Sequence, residues 1–196
     1  MCHSMILDTE TTGFNKPEVI ELAYRLLAND LTEIDGAYCQ RFNPSKEIEK
    51  GAVKVHGIKQ ESLKDSPSCK GLLEHAPKVM SAKYIIGHFI EYDIAAINHS
   101  VGEKHTFKTI CTKRLALEVF KDKLSYSLVN LTKSLGVIEQ SVIDNAHSAD
   151  ADVYMTMSLL EQIVKALKEQ TGKDYDLDAL YLLCSSLDKK HRADYA

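Results

Sequence analysis

The chain has 196 residues, of which 44% are hydrophobic and 27% are charged, and its formal net charge is −4. This length suffices for one domain with a substantial core, and the apolar content excludes a disordered chain. A mildly acidic protein is poorly suited to following a long nucleic acid, although bound cations can neutralise the phosphates of a strand end. We therefore expect a single domain over residues 1–196.

Five scattered cysteines show neither metal-ligand spacing nor a disulfide framework. No secretory leader precedes the first predicted strand, and no apolar run is long enough to span a bilayer. These features predict a cytoplasmic protein that has no membrane contact. Short basic clusters at residues 104–105, 113–114, 121–123 and 189–192 are interpreted as ordinary solvated surface.

Apolar runs bounded by turn residues predict five strands, at residues 3–8, 19–27, 34–42, 84–87 and 107–111. Short connections between the first three favour an antiparallel meander, and residues 43–57 are predicted to form a long loop. Helical periodicity predicts helices near residue 61 and at residues 69–80, 92–100, 112–120, 127–135, 149–170 and 177–187. The order predicts an α/β fold in which a mixed sheet, three antiparallel strands and then two parallel ones, is flanked by helices.

Acidic residues stand where these elements would bring them together. Asp8 and Glu10 are two positions apart at the end of the first strand, so an extended backbone directs both to one side. Asp93 lies in the first turn of the helix after the fourth strand, where it is either a helix-dipole partner or a metal ligand. Carboxylates gathered in one pocket cannot all stay ionised without cations, which indicates a divalent-metal site.

The helix at residues 149–170 contributes a further acid. Asp152 aligns with apolar positions on this helix, whereas Asp150 aligns with a polar face, so Asp152 is predicted to be the ligand. His147 is five residues earlier and is expected to reach the site from the preceding loop, unless it is a surface histidine at a helix start. A histidine beside clustered acids indicates that a water molecule is activated there, and metal-dependent phosphodiester hydrolysis is the leading hypothesis.

The motifs resemble those of the DEDD-type 3′→5′ exonucleases, in the branch whose third motif carries histidine. Within that family the chain looks most like the exonuclease X group and next like the proofreading epsilon subunit. The resemblance covers most of the chain and lies in residues 6–14, 87–93 and 147–152, with further likeness at 55–58, 110–116 and 126–128. One departure is Phe89, which stands where the family's second motif usually has asparagine; Tyr92 replaces the usual phenylalanine.

The resemblance implies a ribonuclease H-like fold and a metal-dependent mechanism. Asp8, Glu10, Asp93 and Asp152 would hold two Mg²⁺ or Mn²⁺ ions, one presenting the attacking water and the other stabilising the departing oxygen. His147 would act as the general base, and a nucleoside 5′-monophosphate would be released from a DNA 3′ end, either single-stranded or frayed.

Further residues are predicted to bind the substrate. Phe14 and Ile58 are expected to wedge against the last two bases, with core packing as the alternative for each. The backbone around Thr11, Thr12 and Gly13, together with His56, is expected to hold the terminal 3′-hydroxyl. Two more predicted contacts are His88, from the second motif, and Tyr126, which would reach a phosphate or else be a helix-edge tyrosine.

Two alternatives remain open at this point. The first is a 3′→5′ exoribonuclease that trims RNA or short oligoribonucleotides, because the acids do not discriminate between the two sugars. The second is a non-catalytic binding module in a polymerase or nuclease complex. A polymerase or repair-complex partner is also compatible with the leading hypothesis.

Overall fold

The computed structural model describes the backbone of residues 3–194 and the side chains of residues 3–34 and 36–188. A five-stranded sheet has the strand order β3-β2-β1-β4-β5. Its strands are β1 (Ser4–Thr11), β2 (Val19–Leu27), β3 (Glu33–Arg41), β4 (Ile85–Gly87) and β5 (Thr109–Cys111). The first three strands pair antiparallel, and β4 and β5 extend the sheet in parallel from β1, which confirms the predicted mixed sheet.

Eight α-helices accompany the sheet in the described part of the chain. They are α1 (Lys50–His56), α2 (Leu72–His75), α3 (Glu91–Val101), α4 (Thr112–Val119), α5 (Leu128–Leu135), α6 (Gln140–Asp144), α7 (Ala149–Thr171) and α8 (Leu177–Asp194). Three short 3₁₀ turns lie at Gln60–Leu63, Cys69–Gly71 and Pro77–Val79. Among residues 3–194, no helix combines the length and the apolar character that crossing a membrane requires.

The structure departs from the predicted elements in several places. The predicted helix at residues 69–80 is instead a 3₁₀ turn, the four-residue α2 and a second 3₁₀ turn, and α8 continues beyond its predicted end at residue 187 to Asp194. The helix α1 falls inside the predicted loop at residues 43–57, and α6 was not predicted at all. Neither helix contains a buried residue, so neither shows the apolar periodicity on which the prediction depends. The strand β1 continues to Thr11, three residues beyond its predicted end.

The longest helix, α7, contacts β1 and β2 at the centre of the sheet. Leu159 and Ile163 of α7 are fully buried in the same core cluster as Met5 and Leu7 of β1. Removing a large side chain from such a core costs about 2–5 kcal/mol, so this packing holds α7 firmly on the sheet. The amino-terminal end of α7 is thereby fixed beside the carboxyl-terminal half of β1.

Candidate active site

Asp8 and Glu10 lie on β1, which pairs with β2 on one side and with β4 on the other. Two residues apart in an extended strand, their side chains leave the same face of the sheet. Glu10 is 8% exposed and Asp8 is partly buried. Because β1 stays paired with β2 through both residues, the centre of the sheet, and not a loop, holds the two carboxyl groups in place.

Asp152 approaches the same point from the first turn of α7. One carboxylate oxygen from each of Asp8, Glu10 and Asp152 can be chosen so that all three lie within 4.8 Å of one another. Oxygens at that separation can share one cation. The structure therefore brings together three of the four predicted metal ligands, from two distant parts of the chain.

The neighbouring Asp150 faces away from this cluster. Its side chain is exposed, and its Oδ1 lies 3.0 Å from Nη2 of Arg25. On the face that Asp152 occupies, Thr156, Leu159 and Ile163 are all buried. The two aspartates of the first turn thus have opposite environments, as the apolar pattern of the helix predicts.

Asp93 lies in the first turn of α3 and is 4% exposed. Its Oδ1 accepts hydrogen bonds from the Thr9 backbone N–H, at 3.0 Å, and from the Thr9 hydroxyl, at 2.7 Å. The carboxyl group is therefore tied to β1 between the two acids of that strand. Its charge contributes to raising the pKa of both Asp8 and Glu10, which places it in the same electrostatic site.

The carboxyl groups of the site resist ionisation. Burial, followed by repulsion from neighbouring carboxylates, raises the pKa of Asp8 well above its usual value and that of Glu10 to about 9. Burial also raises the pKa of Asp93 to about 7, although the two Thr9 hydrogen bonds oppose it, and raises the pKa of Asp152. Among the described residues, no basic side chain compensates the negative charge that Asp8 or Glu10 would carry when ionised.

This donor set fits divalent metal ions. Hard cations such as Mg²⁺ and Mn²⁺ bind carboxylate oxygens, and the repulsion that raises these pKa values is the repulsion that a cation would relieve. Asp8, Glu10 and Asp152, with Asp93 beside them, are the residues that would hold such ions.

The metal-free protein should lose stability as the pH rises. A carboxyl group with a raised pKa in the folded state contributes stability below its unfolded value and loses it as the pH climbs through the folded one. For Glu10 this loss of stability takes place between about pH 4.5 and about pH 9. We expect the Tm of the EDTA-treated protein to fall as the pH rises across this range. At pH 8, Glu10→Gln should raise the Tm by about 2–4 °C for each kcal/mol of unfolding free energy that the substitution restores.

Differential scanning calorimetry with and without Mg²⁺ measures this effect. Mg²⁺ should raise the Tm of the unaltered protein more at pH 8 than at pH 6, because cations compete with protons for the same oxygens. Glu61→Gln is the matched control, since Glu61 is an exposed glutamate outside the site. A Glu10→Gln protein that is less stable than the unaltered protein at pH 8 would contradict the electrostatic account.

His147 stands in the loop before α7, with an exposed side chain and a φ of 68°. Its backbone N–H donates a hydrogen bond to Oδ1 of Asp152 at 3.2 Å. Its imidazole has no hydrogen-bond partner among residues 3–188. The structure therefore anchors the backbone of His147 to a cluster carboxylate and leaves the ring free in solvent, consistent with an approach from the loop.

Glu21 of β2 was not singled out in the sequence, yet it supports the site. It is 4% exposed, its Oε2 accepts a hydrogen bond from the Ala149 N–H at 3.0 Å, and its Oε1 lies 2.9 Å from Nε of Arg41. A carboxylate at a helix N-terminus satisfies a free N–H group and interacts favourably with the helix dipole. Glu21 thus fixes the start of the helix that carries Asp152.

A pocket of about 200 Å³ opens beside Glu10. Its lining residues come from β1, the turn after it, α1 and α3: Thr9, Glu10, Thr11, Gly13, Phe14, Glu49, Gly51, Ala52, Val55, His56 and Tyr92. Phe14 stands at its rim, 88% exposed, with its ring centroid 5.9 Å from that of Tyr92. The pocket therefore combines an apolar wall with the edge of the acid cluster.

The turn after β1 forms one wall of this pocket. The hydroxyl of Thr11 is hydrogen-bonded to that of Tyr92 at 2.7 Å, and the buried hydroxyl of Thr12 accepts from the Glu18 N–H at 3.0 Å. Gly13 has a φ of 134°, and a Cβ at this position would lie 2.2 Å from the Glu49 carboxyl carbon. The positive φ favours glycine at this position, because other residues rarely adopt it, and the Thr12 side chain is already used to hold the turn.

His56 is one of the residues that line the pocket. Its Nδ1 accepts a hydrogen bond from the Ile58 N–H at 3.0 Å, so a neutral ring carries its proton on Nε2. Nε2 is buried beside the Thr11 backbone and is not exposed to solvent. Burial lowers the pKa of His56, which favours this neutral form.

Three residues predicted to bind substrate lie elsewhere. Ile58 is 5% exposed and packs with Ile20 and Leu63, so the structure favours core packing for it; Val55, 54% exposed, lines the pocket instead. Because Ile58 follows α1, it turns inward once that helix has formed.

His88 and Tyr126 join loops and do not line the pocket. The His88 ring is hydrogen-bonded to the Thr112 hydroxyl at 3.1 Å and to the Tyr126 carbonyl at 2.8 Å, and burial lowers its pKa to about 4. The Tyr126 hydroxyl donates to the Phe120 carbonyl, which leaves no proton for a phosphate oxygen. The sequence could not reveal these partners, because they depend on how the loops meet.

Comparison with known proteins places this fold and site in a family. Residues 5–160 match the family model described as Exonuclease. The chain belongs to the exonuclease family. With the three motifs found in the sequence, the match confirms the prediction of a DEDD-type 3′→5′ exonuclease.

Curated relatives of this exonuclease include DNA polymerase III epsilon subunits. That of Aquifex aeolicus is 29% identical over 185 residues, covering 90% of this chain and 88% of the relative. That of Buchnera aphidicola from Acyrthosiphon pisum is 28% identical over 165 residues, covering 78% and 68%.

Solved structures of the same fold include exonuclease X bound to 5′ overhanging duplex DNA, with a TM-score of 0.66 and 22% identity, covering 86% of this chain and 93% of that one. Another is Escherichia coli exonuclease I bound to a dT13 oligonucleotide, with a TM-score of 0.72 and 18% identity, covering 87% and 42%. At these identities the likeness establishes the ribonuclease H-like fold.

Proposed function

We propose that this exonuclease is a metal-dependent 3′→5′ exodeoxyribonuclease that releases nucleoside 5′-monophosphates from DNA 3′ ends, and that the chain is one catalytic domain. The main support for the proposal is that one carboxylate oxygen from each of Asp8, Glu10 and Asp152 lies within 4.8 Å of the others, next to the buried Asp93. Such a costly concentration of negative charge persists in a fold only when something compensates for it.

The four acids would hold two Mg²⁺ or Mn²⁺ ions. When bound, such ions lower the pKa of a coordinated water and stabilise negative charge on attacking and leaving oxygens. The protein fixes the ligands from rigid elements: β1 holds Asp8 and Glu10, and the capped start of α7 holds Asp152. Rigid placement matters because small errors in the position of catalytic groups slow a reaction strongly.

His147 is the proposed general base. Its ring is exposed beside the cluster, while its backbone is bonded to Asp152, so it can take a proton from the attacking water and pass it to solvent. The left-handed backbone of His147 stores local strain, a feature that collects at functional sites.

The pocket beside Glu10 is the proposed site for the terminal nucleoside. The exposed Phe14 ring and Val55 offer apolar surfaces against bases, and stacking of this kind tolerates any sequence. His56 and the backbone around Thr11 and Gly13, which line the pocket, would hold the 3′-hydroxyl, so that recognition of the strand end lies next to the acids.

DNA is the proposed substrate because the curated relatives are named as DNA polymerase subunits and two of the similar structures contain DNA. By the same likeness, a DNA polymerase or repair complex is the proposed partner. The competing substrate is RNA, since a sugar is discriminated only by what meets its 2′-hydroxyl.

A product ladder from matched DNA and RNA oligonucleotides, labelled at the 3′ or the 5′ end, tests the proposal. With Mg²⁺, 3′-labelled DNA should release labelled mononucleotide at once, whereas 5′-labelled DNA should shorten stepwise; EDTA should stop both. Faster shortening of RNA would assign an exoribonuclease instead. A Mg²⁺-dependent rise in Tm without release of any nucleotide would favour a non-catalytic binding module.

A further inference from the structure

Phe89 has an unusual conformation for its residue type. It lies two residues before the start of α3, has a φ of 70° and is 53% exposed. The left-handed region is unfavourable for a bulky side chain and is tolerated far better by asparagine, the residue usual at this position in the family motif. The chain therefore keeps an exposed aromatic ring where neither the backbone nor core packing demands one.

A free cation accompanies the ring. Nζ of Lys113 lies 5.0 Å from the centroid of the Phe89 ring, and Lys113 forms no ion pair with the described residues. The adjacent Arg114, by contrast, is bound to Glu91 at 2.7 Å and to Asp188 at 2.9 Å. Of the two cations that begin α4, only Lys113 is available to a ligand.

The fold places this pair beside the acid cluster. Phe89 follows the end of β4, Lys113 follows the end of β5, and both strands run parallel to β1. The carboxyl ends of parallel strands share one edge of a sheet, which is where Asp8 and Glu10 lie. The end of β4 packs closely on β1, because a Cβ on Gly87, two residues before Phe89, would be 3.0 Å from the carbonyl oxygen of Leu7, the residue before Asp8.

The neighbouring loop between α4 and α5 adds further cations and apolar surface. His88 binds the Tyr126 carbonyl and so ties this loop to the residue next to Phe89. In the loop, Leu124 is completely exposed, and Lys121 is exposed with its Nζ 3.5 Å from Oε1 of Glu118. Aromatic side chains combined with positively charged residues are typical of surfaces that bind single-stranded nucleic acid without regard to sequence, and Phe89 with Lys113 is such a combination.

We propose that Phe89 and Lys113 form a second contact for the substrate strand, in which a base upstream of the last two nucleotides stacks on the Phe89 ring and Lys113 binds a backbone phosphate upstream of the scissile one. The proposal rests on the proposed nuclease function and deepens it, since it assigns a binding site outside the catalytic pocket. It also revises the interpretation of Lys113 as ordinary solvated surface.

The test compares a long and a short substrate. Binding of a labelled dT10 strand and hydrolysis of dT10 and of the dinucleotide dTpdT are measured for the unaltered protein, Phe89→Asn and Phe89→Tyr. Phe89→Asn suits the left-handed backbone and should fold at least as well as the unaltered protein, as its Tm would show. Tyr154→Ala, which removes a 43% exposed aromatic ring from α7, is the matched control.

Phe89→Asn should weaken dT10 binding and raise the KM for dT10 by about 5-fold or more, in keeping with loss of one base–aromatic stack. Hydrolysis of dTpdT, which is too short to reach the ring, should change little, and Phe89→Tyr and Tyr154→Ala should behave like the unaltered protein. Lys113→Gln should make dT10 binding less dependent on salt concentration, by the change in slope that corresponds to the loss of about one phosphate contact.

Unchanged dT10 binding in Phe89→Asn, or equal losses on dT10 and dTpdT, would overturn the second contact while leaving the nuclease function intact. An unaltered protein that hydrolyses neither substrate would instead refute the proposed function, and the second contact with it.

Discussion

Asp152→Asn is expected to lower the rate of hydrolysis by about 10³-fold or more. Asparagine has the same shape and can still accept the His147 N–H bond, so the loop and helix should keep their positions. What it removes is one negative ligand from the cluster of Asp8, Glu10 and Asp152. Metal ions supply several kcal/mol of transition-state stabilisation, and each 1.36 kcal/mol corresponds to about ten-fold in rate.

Asp150→Asn is the control for this substitution and should leave the rate nearly unchanged. Both aspartates lie in the first turn of α7, so both substitutions remove the same favourable interaction with the helix dipole. Asp150 otherwise has only an exposed ion pair with Arg25, a type worth about 0–1 kcal/mol. Mg²⁺-dependent stabilisation should survive in Asp150→Asn and shrink in Asp152→Asn; the opposite pattern would refute the assignment.

The elements that could be predicted from the sequence are those that bury an apolar face. The strands β2, β4 and β5 and the helices α3, α4, α5 and α7 all show this signal, and their bounds were predicted to within two residues. The helix α1 was missed because it buries nothing. The end of β1 was missed for the opposite reason: Glu10 and Thr11 are polar residues buried inside a paired strand, which a pattern of hydrophobic residues does not reveal.

The acids of the site were predictable because the position of each depends on the strand or helix that carries it, and that element can be recognised in the sequence. Asp8 and Glu10 continue an apolar strand, and Asp152 occupies a defined face of an amphipathic helix. The supporting residues were not predictable in this way. Glu21 caps α7 across 128 positions of sequence, and His88 meets Tyr126 across 38, so their roles exist only once the sheet and its loops have assembled.

The role proposed for Phe89 could not be predicted for the same reason, because it depends on the assembled fold. In the sequence it is only a departure from a motif, and its aromatic ring gives no hint of whether it is buried or exposed. The structure adds a left-handed backbone, an exposed ring and a lysine beside it. Where a residue has a strained backbone and buries no apolar surface, its residue type is better explained by function than by stability.

His147→Ala should lower kcat by about 10²-fold or more, because loss of a general base typically has an effect of that size. The ring belongs to no hydrogen bond among residues 3–188, and it is the backbone N–H that binds Asp152, so removing the ring leaves the acid cluster in place. Mg²⁺ should therefore still raise the Tm of the variant as it does that of the unaltered protein.

The pH dependence separates a base from a positioning residue. If His147 takes the proton from water, the pH profile of kcat should contain a step in the unaltered protein that is absent in His147→Ala. His75→Ala, which alters a histidine outside the site, should retain both rate and pH profile. A His147→Ala protein with undiminished kcat, or with the same pH step, would show that the base is another group.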